Sequence, residues 1–303
     1  MHKQIIGLSS SQTISEDRRV SFNDEIKSIT QVMQEIYYRT VLTCLDMKIT
    51  LLLESMSTLF ISDLHLSANQ PPLTHLFLNF LQTHATKAEA LYILGDLFES
   101  WIGDDNETLF HQQITSALAE LSASGVHTYF MPGNRDFLIG QRFIKKTRFK
   151  LLKDPSFIVL YGIPTLLTHG DSWCTLDKRY VYFRRLTRTH FLQSFFLKLP
   201  LFLREKIAAY LRGNNHVGMT NDPRFDIVMN ELHRCLKDYP AQLIIHGHTH
   251  QPCIQLFQTH SQSTESIEHV TFHTRIVLSD WTPSKGNVLV VTPERKFKLI
   301  YFS

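Results

Sequence analysis

Five apolar runs in this chain each stop at a residue able to hold a metal ion, and that repeated juxtaposition constrains the fold more than any bulk property. Thr58–Ser62 leads into Asp63-Leu64-His65, and Ala90–Leu94 into Gly95-Asp96. Val126–Met131 leads into Pro132-Gly133-Asn134-Arg135-Asp136, Thr165–Thr168 into His169-Gly170-Asp171, and Leu243–Ile245 into His246-Gly247-His248-Thr249-His250. Short apolar runs bounded by Gly, Pro and Asp read as buried strands. Helical spacing fills Pro72–His84 and the stretch from Glu107 to Ser124. Further strands are expected at Phe157–Tyr161, His273–Leu278, Asn287–Thr292 and Lys298–Phe302. Strands alternating with helices predict a layered α/β sheet rather than an all-β fold. In such sheets ligands gather at the carboxyl ends of strands, so the five loops are expected to meet.

The residue types suit that meeting. Asp63 and His65 lie two apart, as do His248 and His250, so in extended backbone each pair faces one way. Glycines 95, 133 and 247 leave room for tight turns and close backbone approach. Carboxylates, imidazoles and one amide oxygen form a mixed N/O set that suits Mn²⁺, Zn²⁺ or Fe²⁺ better than Ca²⁺ or a thiolate-seeking ion. Singly, each motif has a bland reading. An Asp-x-His is usually a surface coincidence, a Gly-Asp after a strand is usually a turn, and Gly-Asn-Arg-Asp is a plain loop. Gly-His-x-His is stronger. All five in order, each after a strand, leave the bland reading little room.

Outside these loops the chain divides unevenly. Residues 1–55 start polar, carry a weak helical pattern at Ile26–Tyr38, and supply none of the motifs, so they read as a mis-called upstream stretch, untranslated or disordered, with Met56 as the true start; the alternative is a real but dispensable extension. Residues 56–174 and 237–303 hold every strand and form the main domain. Residues 175–236 show no strand signal and read as an inserted helical cap. The polar stretch 258–269 reads as a surface loop. Cys44, Cys174, Cys235 and Cys253 form no CxxC pair and read as reduced thiols. No signal peptide is expected. Residues 191–211 are apolar, but Lys198, Pro200, Arg204, Glu205 and Lys206 interrupt them, so no bilayer span is expected there.

The quoted motifs resemble the calcineurin-like metallophosphoesterase superfamily. The match is tighter with its branch of lipid A biosynthesis, whose substrate is UDP-2,3-diacylglucosamine. It is carried by Leu59–Leu66, Ala90–Asp105, Gly133–Leu138 and Ile245–Pro252, and most diagnostically by Phe98-Glu99-Ser100-Trp101-Ile102-Gly103-Asp104. It spans nearly all of 56–303. The resemblance implies an α/β/β/α sandwich with an inserted helical cap. It implies two divalent ions, Mn²⁺ by preference: one on Asp63, His65, Asp96 and His250, the other on Asp96, Asn134, His169 and His248, with Asp96 bridging. Hydroxide held by the ions would attack the α-phosphorus of the UDP unit, giving 2,3-diacylglucosamine 1-phosphate and UMP. Asp96 and Arg135 would be catalytic. Asn134, Arg135, Asp177, Asn215 and His248 would touch substrate. Asp136 and Asp171 would orient ligands, and His246 reads as a strand-end histidine behind the ligand pair. An ion pair between Arg135 and Asp136 is the structural alternative for that arginine. The cap stretch Arg212–Pro223 departs from the family, for it carries no lysine where the family has one.

Between Lys178 and Arg212 there are nine Lys or Arg and one acid, Glu205, interleaved with aromatics. The bland reading is helices packed on the main domain with a solvated basic face. The functional reading is an apolar chamber for acyl chains. Its basic surface, Arg184, Arg185 and Arg188 included, would meet anionic lipid at the cytoplasmic face of the bacterial inner membrane. No nucleic-acid or protein partner is expected. Two other readings compete. A different two-metal phosphoesterase, acting on nucleotides or phosphoproteins, would have little use for a cap over its site. An inactive scaffold would have no reason to keep all seven ligands.

Overall fold

The computed structural model describes residues 57–213, 226–262 and 268–303; the extension 1–55 and Asn215 lie outside them. In the first sheet, β1 (Thr58–Ile61), β2 (Ala90–Leu94), β3 (His127–Met131) and the short β4 (Lys150–Leu151) run parallel. Antiparallel β10 (Gly286–Val291) and β11 (Phe297–Phe302) complete it in the order β11-β10-β1-β2-β3-β4. The second sheet holds β5 (Ser156–Leu160), β6 (Ile163–Thr168), β7 (Leu243–His246), β8 (Cys253–Gln262) and β9 (Glu268–Val277), in the order β5-β6-β7-β9-β8. There β6, β7 and β9 are parallel, and β5 and β8 are antiparallel edges.

Period-two alternation sorts the core into layers. Phe60, Tyr92, Leu94, Leu167, Leu243, Ile245 and Leu289 point between the sheets. Their neighbours Leu59, Ile61, Leu91 and Ile93 point the other way, onto α1 (Pro71–Thr83), α2 (Leu109–Ala123) and α3 (Gln141–Thr147). Helix α1 starts on Pro71-Pro72 and buries Leu73, Leu76, Phe77, Phe80 and Leu81, the one-sided stripe of an amphipathic helix. Leu166 and Ile244 face outward from the second sheet, onto a cluster with Leu232 and Leu236. Those leucines belong to α7 (Met229–Asp238). The order helix, sheet, sheet, helix is the α/β/β/α sandwich expected.

Three more helices, α4 (Lys178–Thr187), α5 (His190–Leu197) and α6 (Leu201–Gly213), precede α7. The Trp101–Asp105 stretch fastens two elements at once. Asp104 accepts from the backbone N–H groups of Gly140, Arg142 and Phe143 at 2.9–3.1 Å, satisfying the open start of α3. Asp105 pairs with Arg204 of α6, whose buried guanidinium also donates to the Ile102 carbonyl at 2.7 Å.

One expectation fails. Residues 258–269 are not simply a loop: β8 and β9 form a ladder that reaches Gln262↔Glu268. The stretch looked loop-like because its outer face is solvated. Its inner face is ordered by Phe257 stacked on His273 at 5.0 Å and by Thr259 bonded to the same ring at 2.8 Å.

Candidate metal centre

Each expected ligand leaves the carboxyl end of a strand. Asp63 and His65 follow β1, Asp96 follows β2, and Asn134 follows β3; His169 follows β6, while His248 and His250 follow β7. Each sheet supplies part of one cluster. The pairs do not converge through extended backbone, as their spacing suggested. Asp63, His65, Asp96, His248 and His250 all have φ between 51° and 67°. That left-handed conformation costs L-residues energy and is held here by surrounding bonds. Asp63 N–H donates to the Gly95 carbonyl at 3.1 Å and His65 N–H to the Asp96 carbonyl at 3.0 Å.

The side chains meet closely. His250 Nε2 lies 3.3 Å from Asp63 Oδ1. Asp96 Oδ2 lies between two imidazoles, 3.9 Å from His65 Nε2 and 3.7 Å from His169 Nε2. Asn134 Oδ1 accepts from His169 Nε2 at 2.9 Å and His248 Nδ1 at 3.0 Å. Two groups have ligand atoms all within 4.8 Å of one another: Asp63, His65 and His250, and Asp63, Asp96 and His169. Asp63 is common to both. The glycines hold the backbone against the carboxylates. A Cβ on Gly133 would strike Asp96 Oδ1, and one on Gly247 would strike Asp63 Oδ2.

Burial dominates the electrostatics. It acts to raise Asp63, yet the bond from His250 and the charges of His250, His169 and His65 hold that carboxyl far below the usual range. Burial opposes the charge on His169, but Asp96, Asp63 and Asp171 raise it to about 9. His248 goes the other way, down to about 4, through burial and the adjacent His169. Asp136 is pushed up to about 7 by burial and by Asp96. Cationic imidazoles beside buried carboxylates are what a cation would replace, because metal binding displaces ligand protons. The residues fit such a cation in a second way. His65 Nε2 is buried without a hydrogen-bond partner, an atom that native interiors seldom leave idle.

Around the ligands, the structure gives contacts that the sequence did not show. Glu99 accepts from His65 Nδ1 at 3.0 Å and lies 3.8 Å from Arg135 Nη1. Asp136 is committed to the N–H groups of Leu97 and Gly133 at 2.8 and 2.7 Å, so Arg135 turns to Glu99 and not to it. Asp171 holds α4: Tyr180 Oη and Arg184 Nε each donate to its Oδ2 at 2.7 Å. Arg188 Nη2 donates to the Gly133 carbonyl at 2.9 Å. Arg184 and Arg188 therefore turn inward instead of lining a lipid-facing surface, because buried Asp171 and an open carbonyl need donors. Asp177 caps α4 by accepting from Tyr180 N–H at 3.0 Å. Asn215 lies outside the described residues. His246 stands behind the cluster, held down to about 3 by burial and by Arg275.

Comparison with known proteins places the chain among phosphoesterases. The family described as calcineurin-like phosphoesterase matches residues 56–252. A relative from Aeromonas hydrophila, "UDP-2,3-diacylglucosamine hydrolase", is 43% identical over 240 residues, 78% of this chain and 95% of its own length. Proteins of the same name from Klebsiella pneumoniae and Coxiella burnetii are 42% and 44% identical, over 82% and 81% of this chain and 99% and 97% of theirs.

Proposed function

The chain belongs to the calcineurin-like phosphoesterase family, and from that premise we propose that it hydrolyses UDP-2,3-diacylglucosamine at the diphosphate, releasing UMP and 2,3-diacylglucosamine 1-phosphate for lipid A synthesis. One observation carries this reading: all seven expected ligands stand in one cluster, in a chain that matches relatives named UDP-2,3-diacylglucosamine hydrolase over 95% and 99% of their own length. Asp63, His65, Asp96 and His250 would hold one Mn²⁺ ion, and Asp96, Asn134, His169 and His248 the other. When bound, the pair neutralises phosphate charge and makes water a nucleophile near neutral pH. The place of Asp96 Oδ2 between His65 and His169 supports its bridging role.

The chain's own residues do the rest. Arg135, steadied by Glu99, presents a guanidinium suited to a diphosphate oxygen. Asn134 and His248, beside the carboxylates, would contact the reacting phosphate, and Asp177 and Asn215 would contact the sugar and diphosphate from the cap. The boundary expected between 236 and 237 falls inside α7, whose Leu232 and Leu236 pack on the second sheet, so α7 would go with the catalytic domain and α4–α6 would form the cap over the substrate. On α5 and α6, Phe191, Phe195 and Phe202 are exposed, suited to acyl chains or to the lipid surface that presents them. Among the described residues no helix is long and apolar enough to cross a membrane, so attachment to the anionic inner face would be peripheral.

The test is hydrolysis of UDP-2,3-diacylglucosamine in detergent, with UMP and the lipid product separated, before and after chelation. Manganese-dependent release of UMP is the expected result. Turnover of simple nucleotides or phosphopeptides in preference to this substrate would overturn it.

A further inference from the structure

A chain of hydrogen bonds enters the centre from the far side of the second sheet. Arg275, buried on β9, donates its Nε–H to His246 Nε2 at 2.8 Å. Its Nη1 donates to Gln255 Oε1 at 3.0 Å, and its Nη2 lies 3.7 Å from Asp226. A guanidinium offers only donors, so His246 Nε2 must accept, and the single proton of that neutral ring must sit on Nδ1. Nδ1 lies 2.8 Å from the Gly247 carbonyl and donates to it. The far end of the same peptide unit, His248 N–H, donates to Asp63 Oδ2 at 2.9 Å.

The Gly247–His248 peptide plane is thus gripped at both ends, and it sets the left-handed φ of 67° at His248. The plane has little room to tilt. A Cβ on Gly170 would fall 2.9 Å from His246 Nδ1, and one on Gly247 would strike Asp63 and Ser62. If the imidazole proton moved to Nε2, it would face the guanidinium, and the Nδ1 lone pair would face the carbonyl oxygen. Both contacts would turn from attraction to repulsion.

We propose that Arg275 is a positioning residue: by fixing the His246 tautomer it holds the Gly247–His248 peptide, and through it Asp63 and His248, in the arrangement that binds a divalent ion. This rests on the metal-centre reading above and is tested apart from it. Mn²⁺ affinity is read by titration against the electron paramagnetic resonance signal of the free ion, with folding checked by circular dichroism. An asparagine amide nitrogen reaches the place of His Nδ1, and a glutamine amide that of Nε2. Arg275→Met should weaken Mn²⁺ binding about tenfold, the scale of losses when groups behind metal ligands are removed. His246→Gln should weaken it similarly, while His246→Asn, which keeps a donor for the Gly247 carbonyl, should stay near wild type. In the His246→Asn background Arg275→Met should cost nothing more, since an amide has no tautomer to fix. Equal affinity for the Asn and Gln variants would overturn the proposal, even if Arg275→Met alone fails to fold. So would an equal loss from Arg275→Met in both backgrounds, which would mark Arg275 as packing only. A wild-type chain that takes up no Mn²⁺, or an Asp63→Ala variant that binds it undiminished, would instead sink the metal-centre reading.

Discussion

At the residue scale the centre is a set of backbone conformations as much as a set of side chains. Five of its residues have positive φ, at a cost of roughly 1–3 kcal/mol each. Those costs are met by close contacts that leave no slack, and this makes the glycines sensitive. Gly133→Ala should push its new methyl into Asp96 Oδ1 and lower Mn²⁺ affinity by about 10–100-fold, a loss that metal titration would detect. An affinity equal to wild type would mean the Asp96 contact is easily relaxed. Asp96→Ala should release both ions and cut turnover at least ~100-fold, since several kcal/mol of charge stabilisation would go. A variant that still held two ions per chain by elemental analysis would remove Asp96 as the bridge and shift that role to Asp63, which both close groups share. The residues that the structure brings together were legible in the sequence because few residue types bind such ions and each followed an apolar run. Their conformation was not legible, because Asp and His tolerate left-handed backbone more than most residues but do not require it. Glu99 belongs to the most diagnostic motif, but its contact with His65 was not legible, because no spacing rule joins it to a residue thirty-four positions earlier.

Elements were read well where their pattern was strong. Strand β2 has the expected bounds, β7 runs one residue past its apolar run to His246, and helices α1 and α2 lie within a residue or two of theirs, since a full apolar stripe or run marks each. The two-residue β4 is too short to show a period. The ladder of β8 with β9 was hidden by polar residues on a strand that borders the sheet and faces water. In the cap, exposure decides what a substitution can report. Phe195 is 60% exposed, so Phe195→Asp should cost little folding stability. It should still lower kcat/KM for the diacylated substrate more than tenfold, because each buried methylene is worth roughly 0.8 kcal/mol, and should spare a small chromogenic phosphodiester. Equal losses on both substrates in paired kinetics would make α5 a packing element alone.

For the molecule as a whole, all seven candidate ligands follow Met56, and the family match begins there, so a chain beginning at Met56 should match the full chain in solubility and turnover. Loss of either on truncation would give the extension a role. A broader consequence follows from the way the seven ligands are shared. Asp63, His65, Asp96 and Asn134 ride on one sheet, and His169, His248 and His250 on the other. The ions would therefore rivet the sandwich across its seam as well as serve chemistry. Chelation should lower the melting temperature, with metal at a hundred times its dissociation constant adding about 2.7 kcal/mol. In calorimetry, a melting point indifferent to Mn²⁺ would deny the rivet. If it holds, the protein's lifetime in the cell follows the supply of the same ion that sets its rate, so scarcity would thin the enzyme pool as well as slow it.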